Sequence, residues 1–311
     1  MKYVILIILG LLLVVILLLV STSIRYVNRV LYPKTKNPQK AKQRVLEQGY
    51  YPEEYINSLS FDELSINSPY GYILKGRIYP NDSNKYVIIV HGISMNIFGS
   101  LKYLSFFHKK GFNVVVFNLR NHGDSGGHNT TYGHFEKWDL RAVTDHLFKT
   151  YGKDIHVGLH GESMGGTIAM LNMAMDERIE FGVVDSAFSD LPELLLLKFK
   201  QDTGIESKKI IAFLNLIVKI RSGFTIEDVS PLKELPAISQ PILFIHGDED
   251  TYIPMKMTKA MYAFKMDKKV LYIAEGGVHG TAMGVNPDRY DEELTNFLNI
   301  VYPNEDFKLG H

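Results

Sequence analysis

Residues 155–171 read IHVGLHGESMGGTIAML, and this stretch decides the fold. Its first six residues have the pattern of a short buried strand, and its last five begin an apolar helix. Between them Ser163 lies in a Gly-x-Ser-x-Gly pentapeptide, the pattern of a nucleophile elbow. Gly161 and Gly165 suit this sharp turn because larger side chains there would collide. The stretch therefore predicts a strand–turn–helix unit that presents Ser163 at a helix N-terminus, where N–H groups stabilise an oxyanion.

Short apolar runs recur on both sides of this unit, with helical patterns between them. Such runs suit strands buried on both faces of a parallel sheet, and their alternation with helices predicts a doubly wound α/β fold. Ser68-Pro69-Tyr70-Gly71 separates the first two runs as a hairpin turn. The predicted strands are Phe61–Asn67, Tyr72–Tyr79, Tyr86–Val90, Asn113–Phe117, Ile155–Leu159, Phe181–Val184, Ile242–Ile245 and Val270–Ile273. The predicted helices are Gly99–Lys110, Lys137–Tyr151, Ser163–Met175, Met255–Lys265 and Asp288–Asn299.

One segment interrupts the alternation. Residues 190–240 contain two strongly apolar stretches, 191–197 and 210–218. The segment is too long for a simple crossover and too apolar for a loop. We expect a helical cap inserted over the carboxyl edge of the sheet. The alternative is an ordinary crossover helix with one further helix packed outside it.

The N-terminus carries a different signal. Residues 4–20 lack any polar side chain, and with residues 21–24 a helix of this length would cross a hydrocarbon core of about 30 Å. We expect a retained transmembrane anchor at residues 1–24, because the apolar run is longer than that of a signal peptide and no small-x-small cleavage site stands out after it. A cleaved signal peptide is the alternative. The other predicted boundaries are a polar connector at 25–58 with a short helix around Pro38–Gln48, an α/β domain at 59–302 and a tail at 303–311.

Positive charge lies mainly after the apolar run. Only Lys2 and the terminal amine precede it, and the positive-inside rule would then keep the C-terminal domain in the cytoplasm. The alternative is that anionic lipid or cell-wall polymers hold these cations on the outer surface. The cations that follow the run are Arg25, Arg29, Lys34, Lys36, Lys40, Lys42 and Arg44.

Partners for the serine follow in the order Ser, acid, His that this sheet type requires. A serine hydroxyl needs a base to take its proton and a third group to fix that base. Asp250 lies in the loop after the run 242–245, and His279 lies in the loop after 270–273. Both loops leave the carboxyl edge of the sheet, as Ser163 does. We expect Asp250, deeper in its loop, to be the acid, and Asp248 to support the turn.

An oxyanion hole requires two backbone N–H groups. Met164, the residue after the serine, is expected to supply one. The loop after the early strand 86–90 is expected to supply the other from Ile93, with Gly92 providing clearance. We expect His91 to brace this loop and not to transfer protons.

With these motifs in place, residues 60–300 resemble the α/β-hydrolase family. The similarity is greatest to bacterial single-pass or exported hydrolases related to the serine aminopeptidase, monoglyceride lipase and feruloyl esterase branches. The resemblance implies a triad of Ser163, Asp250 and His279, with Ile93 and Met164 as oxyanion donors. It also implies that Arg120 and Asp124 tie a loop near the elbow as scaffold. The matching motifs are the elbow, Val90-His91-Gly92, residues 118–127, residues 246–254 and Gly277-Val278-His279-Gly280.

Composition and the remaining motifs narrow the function classes. The formal net charge is zero, which gives no reason to expect nucleic acid as a partner. The chain has no cysteine, so disulfides and thiolate chemistry are excluded. No metal or organic cofactor is expected. The predicted activity is a membrane-tethered serine hydrolase of small, hydrophobic carboxylic esters. A thioesterase, a peptidase, an acyltransferase and a non-catalytic binding protein are the alternatives.

Overall fold

A computed structural model describes residues 2–33, 37–47, 49 and 51–309. The cations Lys34 and Lys36 and the predicted helix end at Gln48 lie outside the described residues. The strands are β1 Asp62–Asn67, β2 Ile73–Tyr79, β3 Lys85–Val90, β4 Asn113–Phe117, β5 His156–Glu162, β6 Ile179–Asp185, β7 Ile242–Gly247 and β8 Lys269–Ala274. The α-helices are α1 Lys2–Leu31, α2 Pro38–Glu47, α3 Glu53–Ser58, α4 Ile97–Leu101, α5 Leu104–His108, α6 Glu136–Tyr151, α7 Met164–Met173, α8 Leu191–Thr203, α9 Lys208–Ser222, α10 Pro231–Glu234, α11 Met255–Phe264, α12 Ala282–Val285 and α13 Pro287–Val301.

The strands of the described residues form one mostly parallel sheet in the order β1-β2-β4-β3-β5-β6-β7-β8. The hairpin β1–β2 is antiparallel, β2 pairs antiparallel with β4, and the remaining neighbours are parallel. The central strands are buried on both faces, where two apolar clusters cover them. Since β3, β5, β6, β7 and β8 run in parallel, the loops after them meet at one edge of the sheet. The predicted doubly wound α/β fold is confirmed.

Two predicted helices differ from the observed ones by more than two residues. The helix predicted over Gly99–Lys110 is divided into α4 and α5, with Lys102 and Tyr103 between them. The N-terminal helix α1 continues past residue 24 to Leu31. It is the one helix of the described residues that is long and apolar enough to cross a membrane.

The insertion between β6 and β7 contains the two long helices α8 and α9, followed by shorter helical turns. The α8 helix ends at Gly204 and α9 ends at Gly223, and both glycines have left-handed φ angles. The side chain of Ser207 caps the N-terminus of α9. Apolar residues of α8 and α9 share a third cluster with the end of α1. This insertion is the predicted helical cap.

Candidate active site

The turn between β5 and α7 holds Ser163 in a strained conformation. Its φ of 57° and ψ of −121° are costly for a residue with a Cβ atom. Glycines make the turn possible: a Cβ on Gly161 would lie 2.3 Å from the Gly165 oxygen, and one on Gly165 would lie 2.1 Å from the Val90 oxygen. The Ser163 N–H donates to the Asp185 carbonyl at 2.7 Å. These contacts fix the serine at the carboxyl edge of the sheet.

The three residues predicted as a triad are joined by hydrogen bonds. His279 Nε2 lies 2.9 Å from Ser163 Oγ, and His279 Nδ1 lies 2.8 Å from Asp250 Oδ2. They come from the turn after β5 and the loops after β7 and β8. Asp250 is fully buried at its side chain, whereas the His279 side chain is 26% exposed. The imidazole can therefore reach both the serine and a bound substrate, while the carboxylate behind it is shielded from water.

Asp250 is held as a carboxylate by several donors. Its Oδ1 accepts the N–H groups of Tyr252 and Ile253, both at 2.8 Å. Its Oδ2 also lies 3.2 Å from His246 Nε2. Burial alone would raise the pKa of Asp250, but hydrogen bonds from His246 and His279 outweigh it and lower the pKa below its usual range. Asp248 is exposed, and among the described residues its side chain accepts the Gly276 N–H of the loop after β8 and no group of its own turn, so it joins two loops where support of its own turn was expected.

The loop after β3 lies against the serine. A Cβ on Gly92 would be 3.3 Å from the Ser163 Cβ, which explains the glycine. Among the described residues, the Ile93 and Met164 N–H groups donate to no protein acceptor. His91 accepts the Leu119 N–H at 3.0 Å and contacts the Gly92 carbonyl at 2.8 Å. Burial lowers the pKa of His91 to about 3, so it stays neutral and braces the loop.

A buried polar network beneath the serine was not predicted from the sequence. The Tyr103 hydroxyl donates to Glu162 at 2.5 Å and lies 3.2 Å from Asp185. Lys102 forms an ion pair with Glu162 and donates to the Gly280 carbonyl at 3.0 Å. It thereby joins the turn that carries Ser163 to the loop that carries His279. Burial, and next the Glu162 charge, raise the pKa of Asp185 to about 6.

Two adjoining cavities open beside Ser163. The first has a volume of about 310 Å³ and contains both Ser163 and His279 in its lining. The second has a volume of about 200 Å³ and lies between the end of α1 and the cap helix α8. Ile93, Ser94 and Tyr252 line both. Arg44 of α2 also lines the first cavity, so the segment before the sheet contributes to the site.

The two residues expected to tie the loop after β4 behave differently from each other. Arg120 is buried, bonds Asn129 at 2.9 Å and lies 4.7 Å from the Phe135 ring centroid. Asp124 is exposed, and the structure shows no ion pair between it and Arg120. Arg120 therefore has a structural role in this loop, through the amide side chain of Asn129 and the aromatic ring of Phe135.

Comparisons with known proteins agree with this geometry. Residues 81–194 match the family model described as serine aminopeptidase, S33. The uncharacterized protein YqkD of Bacillus subtilis is 33% identical over 282 residues, which cover 90% of this chain and 92% of YqkD. The uncharacterized protein YfhR of Escherichia coli O157:H7 is 24% identical over 265 residues, covering 80% of this chain and 85% of YfhR.

Solved structures show the same fold. The esterase Pf2001 of Pyrococcus furiosus matches with a TM-score of 0.66 and 24% identity, over 79% of this chain and 94% of the esterase. Est1E of Butyrivibrio proteoclasticus, solved with ferulic acid, matches with a TM-score of 0.61 and 17% identity, over 77% of this chain and 99% of Est1E. Together with the strand–serine–helix turn and the sheet order, these similarities show that the chain belongs to the α/β-hydrolase superfamily of enzymes.

Proposed function

We propose that the chain is a serine hydrolase of carboxylic esters. The observation that carries the proposal is the series of hydrogen bonds from Ser163 through His279 to Asp250. His279 accepts the Ser163 proton as Oγ attacks the ester carbonyl carbon. Asp250 holds the imidazole and stabilises its positive charge. Ile93 and Met164 donate their N–H groups to the oxyanion.

The reaction then proceeds through an acyl-enzyme. The bond between the carbonyl carbon and the alcohol oxygen breaks, and His279 gives its proton to the departing alcohol. Water next attacks the acyl carbon while His279 takes a proton from it. The carboxylic acid leaves, and the proton returns to Ser163. An acyltransferase would differ only in replacing water by another acceptor, and a thioesterase only in its leaving group.

The charges around Ser163 favour an ester over an aminopeptidase substrate. An aminopeptidase requires a negative group to hold the free amine of its substrate. Glu162 is the carboxylate side chain in the lining of the cavity at Ser163, and it is already bonded to Lys102 and Tyr103. Arg44 and Lys102 add positive charge to the same lining. An uncharged ester suits this site better than a cationic amine.

Labelling with a fluorophosphonate tests the proposed chemistry. We expect one adduct on the folded full-length chain, located at Ser163 by peptide mass spectrometry, and none after heat denaturation. The reason is that only a serine activated by a neighbouring base attacks such a probe rapidly. The same preparation should hydrolyse the p-nitrophenyl ester of an uncharged acid faster than the p-nitrophenyl ester of an amino acid with a free amine, which has the same leaving group. Folded protein that takes up no label, or that prefers the aminoacyl ester, would contradict the proposal.

The helix α1 is proposed to anchor this enzyme in a membrane as a single span. Its most apolar window is wholly exposed in the folded chain. It continues as one helix to Leu31, and its end packs in an apolar cluster with the cap helices. We expect the mature protein to remain in membranes washed with alkaline carbonate and to retain residues 2–20. A mature N-terminus beyond residue 20, or release by the wash, would show a cleaved signal sequence instead.

A further inference from the structure

The last two turns of α1 are part of the catalytic domain. Val27 and Leu31 are 1% and 0% exposed, and they pack in one apolar cluster with residues of α8 and α9. The Leu31 carbonyl accepts the Thr130 N–H at 2.8 Å. These contacts fix the end of the helix against the cap and against the loop that follows β4.

Tyr26 and Val30, on the same two turns of α1, also face the cap. The Tyr26 ring meets the Phe199 ring of α8 edge-on, with centroids 5.2 Å apart. The Val30 carbonyl lies 3.3 Å from the Tyr132 hydroxyl, which donates to it. Tyr26, Val30 and Tyr132 all line the second cavity. One wall of that cavity is therefore built from the helix that we propose as the membrane anchor.

The second cavity has a mixed lining, and its apolar side is suited to a hydrocarbon chain. Leu194 and Leu195 of α8 complete its apolar lining. Its charged side chains already have partners: Arg29 lies 3.7 Å from Asp202, and the Lys198 ammonium lies 3.4 Å from the centroid of the Tyr252 ring. A volume of about 200 Å³ accommodates several carbon atoms, since a water molecule occupies about 30 Å³ of liquid.

We propose that this cavity binds the acyl chain of the substrate and that Tyr26 and Val30 of the anchor helix set the preferred chain length. The inference rests on the proposed ester hydrolysis at Ser163. Ile93 borders both cavities, and its N–H is the proposed ligand of the carbonyl oxygen. His279, which protonates the departing alcohol, lines the first cavity and not the second, so the acyl chain is the group on that carbonyl carbon that lies beside the second cavity. The same helix thus selects the length of the acyl chain and places the cavity close to the membrane.

Substitutions that fill or enlarge the cavity test this assignment in the full-length chain. Val30→Trp fills it, and we expect the ratio of kcat/KM for p-nitrophenyl octanoate to that for p-nitrophenyl acetate to fall on the order of 10-fold or more. Tyr26→Ala enlarges it, and the preferred acyl chain should lengthen. Val15→Trp, on the exposed part of the same helix, is the matched control and should leave the chain-length profile unchanged.

A second series of esters distinguishes the acyl chain from the alcohol. Acetate esters of alcohols of increasing length are measured with the same variants. A Val30→Trp effect on this series, with none on the acyl series, would overturn the acyl assignment. Unchanged profiles in both series would overturn the role of the helix while ester hydrolysis and fluorophosphonate labelling persist. Loss of labelling in the unmodified enzyme would instead overturn the proposed function itself.

Discussion

Replacing Ser163 by alanine lowers kcat for p-nitrophenyl esters by about 10⁶-fold, the loss typical of removing the nucleophile of a serine hydrolase. The substitution deletes the oxygen that lies 2.9 Å from His279 Nε2 and that forms the acyl-enzyme. Any remaining rate over water comes from the oxyanion donors and from substrate binding. Initial rates of purified full-length protein in detergent measure the effect. A variant that kept more than about one-hundredth of the activity would contradict the assignment of Ser163.

The free energy of unfolding distinguishes a variant that is inactive because it lacks the nucleophile from one that is inactive because it does not fold. Ser163→Ala keeps the strained backbone and loses one hydrogen bond, so we expect the free energy of unfolding to change by about 1 kcal/mol or less. Ser163→Gly is also expected to be inactive, yet more stable than Ser163→Ala, because glycine adopts a φ of 57° without strain. Ser239→Ala is the control: this serine is exposed just before β7, at the opposite end of the sheet. It should keep full activity.

The sheet could be predicted from local sequence because its strands are short, apolar and bounded by polar residues. The strand predicted at Asn113–Phe117 is β4 with the same bounds, and its five residues are all buried. Local signals also located the elbow, since only glycine fits the close contacts at positions 161 and 165. These features depend on residues near one another in the chain, and a single sequence displays them directly.

The division of one predicted helix into α4 and α5 depends on distant residues. Nothing between Gly99 and Lys110 is a helix breaker by composition. Tyr103 and Lys102 lie where the helix is interrupted, and their side chains reach Glu162, about sixty positions later. A tertiary contact therefore decides the end of α4, and no local pattern could have indicated it.

The same reason explains the length of α1. The hydropathy pattern placed the end of the anchor at residue 24, where polar residues begin. Val27 and Leu31 continue the helix because they find apolar partners on the cap, almost two hundred residues away in the chain. The presence of Arg44 in the lining of the cavity at Ser163 could not be predicted for a related reason, because its segment looked like a polar connector.

For the candidate site, the predicted order of the parallel strands indicated which loops meet, which local sequence patterns do not indicate. The order Ser, acid, His along parallel strands predicted the loops that supply the acid and the base, and the depth of Asp250 in its loop favoured it over Asp248. The strand order did not indicate that His246 would contact Asp250. The His246 ring lies behind Asp250, 2.7 Å from the Thr258 hydroxyl and 2.8 Å from the Ile253 carbonyl. His246 belongs to a predicted motif, but its role as a positioning residue depends on a turn that only the folded chain reveals.

Asp250→Asn is expected to lower kcat by about 10⁴-fold. The Tyr252 and Ile253 N–H groups hold one side-chain oxygen of Asp250, and the amide oxygen of an asparagine should remain with these donors. Its NH₂ group then faces His279 Nδ1, which must be unprotonated to accept it. The ring proton moves to Nε2, and Nε2 can no longer take the proton of Ser163. The substitution thus disables the base without removing it.

Asp248→Asn is the matched control, because it makes the same chemical change two residues away. Asp248 is exposed, and within the part of the chain that the structure describes its side chain makes one hydrogen bond, from the Gly276 N–H, which an amide oxygen accepts equally well. We expect its kcat to stay within about threefold of the unmodified enzyme, roughly 0.65 kcal/mol in activation free energy, because the variant keeps the bond to Gly276 and changes no group of the proposed triad. The reverse outcome, a large loss for Asp248→Asn and a small one for Asp250→Asn, would make Asp248 the acid. The pair of variants therefore tests which carboxylate orients His279, because only the buried one can dictate which ring nitrogen carries the proton.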